Sequence, residues 1–245
     1  MLRSLDALEE GFRDISKKSK EQCGDKLEEI RQLIFIIKDF DRAIEEHRNP
    51  DEKGIPSKYV HSLVHTYYME LIRISGHILF FSCNGLYRNA FDDIRYILES
   101  IVQALYIDLR HPKTDIATKI EILKEVENKR EYHAVRLIDE LEIDHKDRLR
   151  KEYKKLSRIV HPSHEQVIAS ISDIFKEHTG VPATINCEEI SKIYGSMKMM
   201  YDIFFFLFSY YFPEIKGSLR KNPDFTKDIK VHNLALLSKI LKVRL

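Results

Sequence analysis

Apolar residues recur every third or fourth position along almost the whole chain, and no apolar–polar alternation persists anywhere. The first pattern is that of a helix with one buried face; the second would have marked strands. Leu5, Leu8, Phe12 and Ile15 begin the series, and Leu27, Ile30, Ile34, Ile37, Phe40 and Ile44 continue it beyond Gly24. This predicts one long helix, or two nearly collinear ones, ending at Asn49-Pro50. Its heptad-like stripe suits packing on the core or pairing with another chain. The run NPDEKGIPS carries two prolines and a glycine and cannot continue a helix. Ser57 then caps a helix to about Cys83, with Asn84-Gly85 as its stop. The next helix runs to about Arg110 and ends at His111-Pro112. Thr114 opens a more polar region of one or two helices, to about Leu141. Asp144 caps a helix that ends at His161-Pro162-Ser163, where a further helix starts and runs to about Glu177. Thr179-Gly180-Val181-Pro182 stops that one. Asn186 to Tyr211 is strongly apolar and ends before Pro213, and a last helix fits Thr226 to Val243.

The expected fold is therefore all-α: a bundle of seven to nine helices forming a single domain over residues 1–245. Within it, residues 1–49 form a long N-terminal helical arm, 57–213 the core bundle and 214–245 a basic C-terminal helix.

Composition narrows the picture. Only 8 glycines in 245 residues argue against a loop-rich all-β chain or a glycine-rich phosphate cradle. A formal net charge of +1 supplies no global field for nucleic acid or acidic substrates. The greasiest stretch, Met199 to Phe212, is shorter than the roughly 20 apolar residues a bilayer requires, so no membrane association is expected. The N-terminal MLRSLDALEEGFRD lacks the apolar segment of a secretory signal. Cys23, Cys83 and Cys187 are odd in number, far apart and without a C-x-x-C pair. They read as reduced packing residues of a cytoplasmic protein, not as a disulfide framework or a zinc site.

Charge is locally uneven. Lys146 to Arg158 holds seven Lys or Arg against Asp147 and Glu152, and Lys216 to the end holds eight against Asp224 and Asp228. Such helices can track a phosphate backbone, although a solvated face is the commoner reason for them.

Two short patterns carry the candidate chemistry. The first is Arg95-x-x-x-Glu99; the second is Tyr153-x-x-Leu156-Ser157-x-x-x-His161-Pro162-Ser163. Phe91, Ile94, Leu98, Ile101, Val102 and Leu105 form the apolar stripe of the first helix, and Arg95 and Glu99 fall on its margin. Leu149, Tyr153, Leu156 and Val160 form the stripe of the second, with Ser157, His161 and Arg150 at the matching margin. Two helices packed by their stripes would gather these side chains into one half-buried cluster. His161 could then move a proton near neutral pH, and Arg95 or Arg150 could hold a phosphate. The alternative is structural: Arg95 and Glu99, four residues apart, pair with each other, and Ser157 and His161 lock neighbouring helices. His61 and His65 have ligand spacing but no intervening glutamate, and His77 stands alone beside Gly76; all three read as solvated or hydrogen-bonded. No metal and no cofactor is expected.

The two patterns resemble those of a prokaryotic all-helical family of unassigned activity, over roughly Ser57 to Ser170. That family is allied to the HEPN superfamily, which includes nucleases and their partners in toxin–antitoxin and antiviral systems. The resemblance implies a HEPN-like helical core, a homodimer, and a protein that binds or cleaves RNA, or one that meets a partner protein. HEPN nucleases place an Arg-x(4–6)-His motif at the dimer interface. Arg42 to His47 and Arg158 to His164 fit that spacing, without the polar residue that often follows the arginine.

Overall fold

The computed structural model describes residues 5–46, 57–128, 134–160 and 185–242. Every element among the described residues is a helix. In chain order they are α1 (Leu5–Glu45), α2 (Ser57–Val60), α3 (Leu63–Cys83), α4 (Tyr87–Arg110), α5 (Ile116–Asn128) and α6 (Ala134–Glu140). They continue with α7 (Lys146–Val160), α8 (Cys187–Tyr211), α9 (Ile215–Lys221), α10 (Pro223–His232) and α11 (Ala235–Leu241).

The core is built around α8. Its residues Ile203 to Phe208 are all buried, so no face of this stretch turns to solvent. A helix that is apolar all round has to be wrapped. Here α1, α3, α4, α7 and α11 do the wrapping. Phe40 of α1 stacks on Phe205 with ring centroids 3.9 Å apart, and Phe208 and Phe225 meet Phe40 edge-on. α3 and α4 form a hairpin on one side of α8. The turn between them passes through Gly85 at φ 69, a left-handed conformation that glycine adopts at no steric cost.

Two buried carboxylates fix helix starts. Asp108 of α4 is 0% exposed and accepts from Ser62 Oγ at 2.6 Å, Val64 N at 2.9 Å, Leu63 N at 3.2 Å and Lys119 Nζ at 2.7 Å. Lys119, 1% exposed, also donates to the His61 carbonyl at 2.7 Å. The unpaired N–H groups at the start of α3 thus find an acceptor, and each charge has a partner. Asp202 of α8 does the same for α11, accepting from Leu236 N and Leu237 N, each at 2.8 Å.

The eleven helices among the described residues exceed the seven to nine expected. The Ser57 helix breaks at His61–Ser62, because Ser62 caps α3 through His65 N and Asp108 takes the next donors. The C-terminal stretch is three short helices, not one from Thr226 to Val243. Asn222 caps α10 with Pro223 at its first turn, and Asn233 ends it in the left-handed region at φ 53. α1 does span the glycine-containing stretch, as expected, with a kink at Cys23 (φ −129, ψ 24).

The reading of the cysteines needs correction. Cys23 and Cys187 are joined in a disulfide, with Cα atoms 5.4 Å apart, and Cys83 is free. The pair is 164 residues apart in sequence, so only the fold brings the two together. Among the described residues no helix is long and apolar enough to cross a membrane.

Candidate functional site

The packing of α7 against α4 sets the site. Leu149, Tyr153 and Leu156, all buried, form the inner face of α7. On α4, Arg95 Nε donates to Glu99 Oε1 at 2.9 Å, the local pair that four-residue spacing allows; both side chains remain half-exposed. Tyr153 is 4% exposed and comes up beside this pair. Burial holds its phenol well above the usual range, the Glu99 carboxylate pushes the same way, and Arg95 opposes them. Such a phenol keeps its proton at neutral pH. It is a hydrogen-bond donor and a packing group, not a base.

Ser157 lies one turn beyond Tyr153 and is half-buried. Arg150, one turn before Tyr153, points to α6: Nη1 is 3.3 Å from Asp139 Oδ1, and its Nε is buried without a hydrogen-bond partner. Arg95, Glu99 and Tyr153 therefore share one electrostatic neighbourhood, and Arg150 is engaged elsewhere. His161, Pro162, Ser163 and His164 lie outside the described residues, as does His47 of the Arg42–His47 spacing.

The outer face of α7 is different in kind. Lys151, Lys154, Lys155 and Arg158 are exposed and recur at three- and four-residue intervals, opposite Leu149 and Leu156. None of the four has an ion-pair partner among the described residues. Lys26, Arg31, Arg110 and Lys192, by contrast, each hold a nearby glutamate. The C-terminal basic residues do not make a comparable face, since they are spread over three helices.

A second polar cluster, on the outside of the α3–α4 hairpin, escapes the sequence reading. Arg73 pairs with Glu70 and lies 3.4 Å from His77 Nε2. His77 Nδ1 is 3.8 Å from Asp93 Oδ2, an atom that is buried and accepts no hydrogen bond. Burial raises the Asp93 carboxyl, while His77 and Arg73 pull it down. The spacing of Glu70, Arg73 and His77 along one helix face was visible; their partner on α4 was not. His61 lies in the turn between α2 and α3 and is exposed, whereas His65 of α3 is buried between Tyr59 and Tyr68.

Compared with family models, with curated proteins and with solved structures, the chain finds no match in any of the three.

Proposed function

We propose that this chain is a HEPN-like helical protein that binds RNA along the outer face of α7, as a homodimer in the cytoplasm, in a defence or toxin–antitoxin setting. The observation that carries the reading is the row Lys151, Lys154, Lys155 and Arg158: four exposed cations on one helix face with no ion-pair partner among the described residues. Cations left without acids are available to replace the counterions of a phosphate backbone. The Arg95–Glu99 pair and the Tyr153 phenol favour a binding role over a cleaving one, since the first is self-neutralised and the second holds its proton. A cytoplasmic location makes the Cys23–Cys187 disulfide unusual, because lasting disulfides are rare there.

The test is fluorescence anisotropy with a labelled single-stranded RNA at several salt concentrations. The wild type should bind with a steep salt dependence. A variant carrying Lys151→Glu, Lys154→Glu, Lys155→Glu and Arg158→Glu, with helicity checked by circular dichroism, should lose binding at moderate salt. A version with the same four residues changed to Gln should flatten the log–log salt slope by about 3, at roughly 0.7 per phosphate contact. Equal binding by wild type and variants would remove α7 as the interface. A denaturing gel of the same RNA reads any cleavage, and its loss in His161→Ala or His164→Ala would assign acid–base chemistry to that segment. Light scattering should give twice 29.0 kDa for the dimer.

A further inference from the structure

All three cysteines gather at one end of the bundle. Cys23 of α1 and Cys187 at the start of α8 are bonded, and Cys83 closes α3. The Cys83 thiol feels the charge of Lys20, which stands one turn before Cys23. The Asn186 N–H donates to the Tyr87 hydroxyl at 2.8 Å and ties the same end of α4 to the start of α8. The cross-linked residue is also the kinked one: Cys23 alone inside α1 has non-helical φ and ψ.

The two sides of that kink differ. After it, Leu27, Ile30, Leu33, Ile36, Ile37 and Phe40 are buried in the core. Before it, from Glu10 to Gln22, only Ser19 is buried, and its hydroxyl has no hydrogen-bond partner. The disulfide thus sits where α1 passes from a fully buried inner face to one that is only partly covered, at Phe12, Ile15 and Ser16. A hollow of about 280 Å³ lies beside it, lined by Lys20 to Lys26 and by Cys187. Both cysteines line the hollow, and Cys187 is the less buried of the two residues, which makes it the side open to a reagent there.

We propose that the Cys23–Cys187 disulfide is a redox-operated hinge that sets the direction of the N-terminal arm, residues 5–22, relative to the bundle. A small thiol supplies the reducing electrons. Its thiolate attacks the Cys187 sulfur; the sulfur–sulfur bond breaks, and Cys23 leaves as a thiolate that takes up a proton. A second thiol attacks the reagent sulfur of the mixed disulfide, frees Cys187 as a thiolate that is protonated in turn, and departs as the oxidised disulfide. Two electrons and two protons end on the two cysteines. With the cross-link gone, Cys23 can take helical φ and ψ and α1 can straighten. The arm is about 27 Å long at 1.5 Å per residue, so a turn of roughly 20° at Cys23 moves its tip by about 9 Å. Cys83 does not compete for the pairing: burial holds its thiol protonated, with Lys20 opposing only in part.

The experiment uses the full chain, oxidised in air and then treated with excess dithiothreitol. Non-reducing peptide mapping should show one linked pair, Cys23 with Cys187. Dyes attached through non-cysteine handles at Lys17 and Arg88 should report a change in separation on reduction, reversed on reoxidation. Cys187→Ser should give the reduced separation without reagent, and Cys83→Ser should behave as wild type. Gly24→Ala should move the reduced state further toward the straight form. A Cβ there meets nothing within 4 Å, and alanine is the better helix former. The inference is overturned by the absence of the linked pair, by a pair that includes Cys83, or by a dye separation indifferent to redox state. Hydrogen exchange that rises across every helix on reduction would also overturn it, since that outcome describes a staple whose loss unfolds the chain.

Discussion

The Asp108 carboxylate accepts four hydrogen bonds and neutralises a lysine that has no route to water. Asp108→Ala would strand the Lys119 charge and the donors of Ser62, Leu63 and Val64. Breaking one side of a buried pair in this way costs about 3–5 kcal/mol, and urea denaturation should show it. Glu99→Gln, at a half-exposed four-residue pair, should cost no more than about 0.5 kcal/mol in the same assay. The contrast separates a carboxylate that holds three helices from one that decorates a surface. Asp202 gives a pH signature. Burial pushes its carboxyl up from the ordinary 3.8 to about 6, against the pull of the Leu236 and Leu237 N–H groups and of Arg148. Between these values the folded chain holds a proton that the unfolded chain has released. Stability from this group therefore falls as pH rises from about 4 to about 6, by at most about 3 kcal/mol. Asp202→Asn should remove that slope, read as the wild-type minus variant difference in unfolding free energy across the window.

At the scale of the element, periodicity made most helices legible. The buried positions of α1 after its kink and of the first half of α4 fall on a 3.6-residue stripe that the sequence displays, and the continuous apolar run of α8 marks it as buried all round. What stayed hidden were breaks whose cause lies elsewhere in the fold. Ser62 ends one helix and begins another because Asp108, 46 residues away, supplies the acceptors. Asn233 stops α10 by adopting a left-handed conformation that an asparagine tolerates but does not announce. The candidate site was legible by half. The stripe margins of α4 and α7 do put Arg95 and Glu99 beside Tyr153, but helical phase alone did not show that Arg150 would turn to Asp139. Spacing likewise carries no information about Cys23 and Cys187. The turn between α3 and α4 offers a local check. Gly85→Ala forces a Cβ into left-handed backbone and should cost about 1–2 kcal/mol, measured by thermal melting.

Across the full chain, one bond encloses about two-thirds of the residues. The Cys23–Cys187 link closes a loop of 164 residues that contains about half of α1 and all of α2 to α7. In the chain-entropy account a loop of that size restricts the unfolded ensemble by about 5 kcal/mol. Cys187→Ser should lower the denaturation midpoint of the air-oxidised protein and leave that of the reduced protein nearly unchanged. The position of α8 has a different consequence, one that concerns the order of synthesis. The apolar faces of α1, α4 and α7 close on a helix that begins at residue 187, so they leave the ribosome before their cover does. At about 5–20 residues per second, the stretch from the end of α7 to the end of α8 takes several seconds to make. For that interval α1 can pack on α3, and α7 on α4 and α6, but the faces that meet α8 have no cover. A nascent chain stalled ahead of α8 should stay protease-sensitive outside the α3–α4 hairpin, and chaperones that hold exposed apolar helices should recruit to it.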